Sequence, residues 1–79
     1  MLWQNHIEQK PGVMLGKPVI KGTRITVELI LERLGAGCTE AQLLRSYPHL
    51  KADDIRAALT FAAKSLSFDE TVFLSESAA

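Results

Sequence analysis

Between Gly16 and Val27 the chain reads Gly-Lys-Pro-Val-Ile-Lys-Gly-Thr-Arg-Ile-Thr-Val, and few backbone courses satisfy all of these residues at once. Pro18 fixes its own φ and biases Lys17 towards extended geometry. Val19 and Ile20 are β-branched and favour a strand. Gly22 is free to take positive φ, which predicts a tight turn after Lys21. Thr26 is placed to cap a helix starting at Val27. One stretch therefore ends a short strand, turns a corner and launches the first helix. Its charged residues, Lys17, Lys21 and Arg24, are all cations.

The pattern downstream is helical. Val27, Ile30, Leu31 and Leu34 recur at i, i+3, i+4 and i+7 and form one apolar stripe. Gly35-Ala36-Gly37 ends that helix, with a glycine available for a left-handed cap. Thr39-Glu40-Ala41-Gln42 has the form of a capping box and starts a second helix, which Pro48 stops. A third helix is expected from about Ala52 to Leu66, with Ile55, Ala58, Leu59, Ala62 and Leu66 on its buried face. Asp53 and Asp54 suit the first turn of that helix. Upstream, Leu2 to Glu8, Val13-Met14-Leu15 and Val19-Ile20 are three strand candidates around the turn signal Lys10-Pro11-Gly12. The expected fold is α-rich: a short N-terminal β element followed by a three-helix helix-turn-helix. The division is 1-66 for that domain and 67-79 for an acidic and apolar C-terminal tail.

These residues resemble the signature of the domain-of-unknown-function 433 family, which includes VapB-like antitoxins. The resemblance runs from Gly16 to Val27 and continues through Gly37, Thr39, Tyr47-Pro48-His49-Leu50 and Asp54-Ile55-Arg56-Ala57-Ala58-Leu59. It covers roughly residues 5 to 64. The Gly-Thr-Arg and Tyr-Pro-x-Leu pieces are specific in this order and spacing. The resemblance implies a homeodomain-like arrangement with the third helix as recognition helix. It also implies the antitoxin of a type II toxin-antitoxin pair, one that neutralises a PIN-like ribonuclease and binds its own operator DNA. Three positions depart from the family pattern. Lys10 stands where aspartate is usual, Leu15 where many members have glycine, and Lys51 where the cap threonine is usual.

Composition narrows the alternatives. The 79 residues carry 9 cations against 9 acids and are 47% hydrophobic. Disorder throughout is excluded at that hydrophobicity, and a strongly basic nucleic-acid coat is excluded by the charge. Charge is nevertheless uneven: Lys10, Lys17, Lys21 and Arg24 face Glu8 alone in the first 27 residues, while Asp69, Glu70 and Glu76 stand without a cation after Leu66. One cysteine excludes an internal disulfide. The N-terminal residues lack the pattern of a signal peptide, and no apolar run reaches membrane-spanning length. A cytoplasmic protein is expected, with no membrane association. A core this small gains from a second copy, so a homodimer is expected.

No enzyme is expected. His6, Cys38 and His49 lack chelating spacing, so no metal and no cofactor are expected. Asp53 and Asp54 are adjacent and diverge by about 100° on a helix. Cys38 lies beside a helix start but has no histidine near it in sequence. Nucleic-acid binding is the stronger reading. Lys17, Lys21 and Arg24 lie on the turn before the first helix, and Arg56, Thr60 and Lys64 share one side of the third. Arg24 is equally open to a phosphate contact and to an ion pair within its own chain. In the tail, Phe68, Asp69, Glu70, Val72, Phe73 and Leu74 either complete the core or dock onto the toxin, the acids facing its basic rim. The alternatives are a stand-alone DNA-binding transcription regulator and a protein-interaction domain without DNA binding.

Overall fold

A computed structural model describes the backbone of residues 1–78 and the side chains of residues 1–67. Two strands, β1 (Ile7–Glu8) and β2 (Val19–Ile20), precede three helices, α1 (Val27–Gly35), α2 (Glu40–Ser46) and α3 (Ala52–Ala78). The strands pair antiparallel, Ile7 opposite Ile20 and Glu8 opposite Val19.

The predicted corner forms as its residues dictate. Gly22 takes φ +78°. The Thr23 hydroxyl donates to the Ile20 carbonyl at 2.8 Å and accepts from the Ile25 N–H at 3.0 Å. Main-chain bonds from Ile20 to Ile25 and from Val27 to Pro18 close the turn and fold the chain back on itself. Thr26 then caps α1, its hydroxyl accepting from the Leu29 N–H at 2.9 Å. At the far end Gly37 has φ +98°, and the Cys38 N–H reaches the Arg33 carbonyl in the six-to-one bond of a Schellman ending. The Thr39–Gln42 capping box is complete, with both of its hydrogen bonds present.

The N-terminal strand expectations need correction. Only Ile7 and Glu8 of the segment 2–8 form strand, because Trp3–Asn5 winds into a 3-10 turn. Val13-Met14-Leu15 is not a strand. Met14 and Leu15 take φ +47° and +59°, and Gly16 follows at +81°. β1 pairs directly with β2, so the ten residues between them, 9–18, must reverse the chain rather than add a strand. The Gly16 N–H to Val13 carbonyl bond at 3.0 Å closes that reversal. Leu15 is left 93% exposed, so this short apolar run has no buried face to serve.

The core is assembled from Ile20, Val27, Ile30, Leu43, Leu50, Ile55 and Ala58, one or more from β2, each helix and the α2–α3 turn. Ala57 and Ala58 are fully buried, and small side chains there let α3 lie close to its neighbours. The N-terminal 3-10 turn also packs on α3, with the Trp3 and Phe61 rings edge to face at 5.5 Å. The α3 helix starts where the sequence places it and runs beyond Leu66, but Leu59 and Leu66, expected on its buried face, are exposed, because the core reaches α3 through Ile55 and Ala58. The side chains of Phe68, Asp69, Glu70, Val72, Phe73 and Leu74 lie outside the described residues. Among the described residues, no helix is long and apolar enough to cross a membrane.

Candidate functional site

A cleft of about 740 Å³ lies between the Lys21–Ile25 corner and the turn joining α2 to α3. Lys21 and Arg24 line it from the first segment, and Tyr47, His49 and Lys51 from the second. His6 and Asp54 line it as well.

The two segments meet here because of how α3 begins. Lys51 occupies the position before α3 and has no side-chain oxygen to offer as a cap. Asp54 supplies the other half of a capping box instead, its Oδ2 accepting from the Lys51 N–H at 2.9 Å. Its Oδ1 accepts from His6 Nδ1–H, also at 2.9 Å. Asp54 is buried, and with both oxygens engaged it meets the requirement on a buried carboxylate. Asp54 thereby offsets the cap that Lys51 cannot supply. Asp53 instead faces out and pairs with Arg56 at 3.5 Å.

A second carboxylate steadies the corner itself. Glu8 Oε1 accepts from the Gly22 N–H at 3.0 Å, and Lys10 stands 3.6 Å from Oε2. The Gly22 bond, seconded by the lysine charges, holds the Glu8 carboxyl below its ordinary value.

The six residues expected to contact DNA divide into three groups. Lys21 and Arg24 share the cleft, and no ion pair engages either of them among the described residues. The own-chain ion pair considered for Arg24 is absent among those residues. Lys17 faces elsewhere. It donates to Glu28 at 2.9 Å, a contact that raises the lysine and lowers the carboxyl relative to their ordinary values. Both line a separate, apolar groove of about 420 Å³ between α1 and α3, with Val27, Leu31, Phe61 and Leu66. Arg56, Thr60 and Lys64 follow one stripe of α3, outside the lining of either concavity. The Thr60 hydroxyl donates to the Arg56 carbonyl at 2.9 Å.

Sequence reasoning did not single out His49 and Lys51 as site residues. Their nearness to Lys21 and Arg24 is a product of the fold, and the one local signal was that both flank Leu50 in the turn before α3. Cys38 packs against the core, and its thiol donates to the Thr39 carbonyl at 3.7 Å. Among the described residues, no group of three or more His, Cys, Asp or Glu could hold a metal.

Residues 7–62 match the family model described as "Protein of unknown function (DUF433)". The chain belongs to this family. Uncharacterized protein y4eO of Sinorhizobium fredii is 32% identical over 56 residues, which make up 71% of this chain and 25% of that protein. The chain thus spans about a quarter of the length of this curated relative. The crystal structure of a DUF433 member protein from Anabaena variabilis is similar at TM-score 0.72 and 32% identity, over 96% of this chain and 71% of that one. The match from residue 7 to 62 takes in both segments that line the cleft.

Proposed function

We propose that this DUF433 chain is a VapB-like antitoxin of a type II toxin-antitoxin pair, acting as a homodimer that binds its own operator DNA and neutralises a PIN-like ribonuclease. The observation that carries the reading is the α2–turn–α3 unit with an open cleft at its turn, into which cations with no ion pair among the described residues converge from two parts of the chain. A helix-turn-helix reader uses such backbone contacts to fix its register before any base is read. Two copies match two half-sites, and Leu59 and Leu66, exposed on α3, leave apolar surface for a second chain. The acidic composition after Leu66 suits the positive rim that an RNA-cleaving partner requires.

The pairing of Lys17 with Glu28 and of Arg56 with Asp53 favours one other reading, an interaction domain without DNA binding. Co-expression with the product of the adjacent gene separates the two. The antitoxin reading expects growth inhibition by the neighbour alone, relief by this chain, and a salt-sensitive shift of the promoter fragment by this chain. A neighbour that is harmless, or a promoter that does not shift while a complex forms, removes the corresponding half of the reading.

A further inference from the structure

The cations of this molecule are not equivalent. Lys10, Lys17 and Arg56 each stand within ion-pair distance of a carboxylate. Among the described residues Lys21, Arg24, Arg33, Arg45, Lys51 and Lys64 do not, and of these Lys21, Arg24 and Lys51 are exposed on the lining of one cleft. Among the described residues the one carboxylate in that lining, Asp54, is buried and spends its two oxygens on His6 and the Lys51 N–H. Glu8 lies near enough to feel the Lys21 charge, but it is shared with Lys10 and bonded to the Gly22 N–H, so the cleft keeps an excess of positive charge in a chain whose formal net charge is zero.

We propose that this cleft, through Lys21, Arg24 and Lys51 with His49 beside them, receives the phosphodiester backbone of duplex DNA, and that Lys17 and Arg56 do not contribute to that contact. The assignment rests on the operator-binding reading above and names the surface that carries it. Cationic side chains are sufficient for a phosphate contact, because neutralising a phosphate releases condensed counterions. A protein partner asks for a desolvated apolar or aromatic anchor at the centre of its contact. The cleft lining includes Tyr47, Pro48 and Ile25 beside its cations, but the more apolar groove lies elsewhere, between α1 and α3. The cleft also borders the start of α3, so a strand held there brings the first turn of that helix towards the duplex. Asp53, the exposed acid of that turn, has its charge offset by Arg56.

The test is the salt dependence of binding to two duplexes of equal length, the chain's own promoter and a scrambled sequence. Lys21→Ala, Arg24→Ala and Lys51→Ala should each flatten the log–log salt slope by about 1. Each should also weaken binding roughly tenfold at 0.1 M salt on both duplexes alike. The Lys21→Ala/Lys51→Ala double variant should lose about 2 in slope, and Lys17→Ala should leave it unchanged. Glutamine versions of the same variants, with melting curves for all, separate lost charge from lost fold. A folded double variant with the wild-type slope overturns the site while operator binding stands. A slope that falls as far with Lys17→Ala as with Lys21→Ala overturns it too. Wild-type protein that binds neither duplex at low salt overturns operator binding and the site together.

Discussion

His6 Nδ1 and Asp54 Oδ1 meet at 2.9 Å across 48 positions of sequence, and the other oxygen of the same carboxylate caps α3. The N-terminal segment and the last helix are thus fastened through one side chain. Removing either partner leaves the other with an unmet hydrogen bond in a largely buried place. Asp54→Ala is expected to destabilise the domain by about 1–3 kcal/mol and His6→Ala by about 1 kcal/mol. A double-mutant cycle from denaturant melts should return a coupling energy of at least about 0.5 kcal/mol. Strict additivity would show that the two side chains act independently.

Gly22 sits at φ +78°, and a side chain there would meet nothing within 4 Å. The cost of substitution is therefore one of backbone conformation alone. Gly22→Val should lower stability by about 1–3 kcal/mol, because a β-branched residue is disfavoured at positive φ. Gly22→Asn should lose less, since asparagine tolerates that region. A valine variant with the wild-type melting midpoint would rule out the left-handed turn.

Leu15 offers the reverse experiment. It is an exposed, non-glycine residue at φ +59°. Leu15→Gly relieves about 1 kcal/mol of strain and gives back part of it through a more flexible unfolded chain. A rise of about 2–5 °C in Tm is expected for a domain of this size. A fall in Tm would mean that the leucine makes a contact worth more than its strain.

Glu8 makes the corner sensitive to acid. Its carboxyl is held below the ordinary value of 4.5, chiefly by the Gly22 N–H. A carboxyl depressed by folding stabilises the native state above its unfolded value, and that contribution is lost as pH falls through the lower, folded one. Melting midpoints should therefore drop between about pH 5 and pH 3, and Glu8→Gln should flatten that part of the profile. Identical profiles for the two proteins would take Glu8 out of the acid response.

What the sequence disclosed follows the range of the interactions involved. Thr26 with Leu29 and Thr39 with Gln42 span three residues, so the helix starts could be read locally. The motif from Gly16 to Val27 carried the family resemblance, and the corner at Gly22 formed as its residues required. Val13-Met14-Leu15 was misread because three apolar residues have no measurable period, and their left-handed turn lacks glycine at its first two positions. Lys17 and Glu28 are 11 residues apart and His6 and Asp54 are 48 apart, separations at which no local rule pairs side chains. The cleft was hidden for the same reason, since Lys21 and Arg24 meet His49 and Lys51 only after α1 and α2 have turned the chain back.

The edge-to-face contact between Trp3 and Phe61 has a practical consequence for spectroscopy. The chain has one tryptophan, and that indole rests half-buried against the helix whose first turn borders the cleft. Its emission is a native gauge of whether the N-terminal segment is seated on α3. Lifting that segment would wet the ring and move the spectrum to longer wavelength, with no label attached and no residue exchanged.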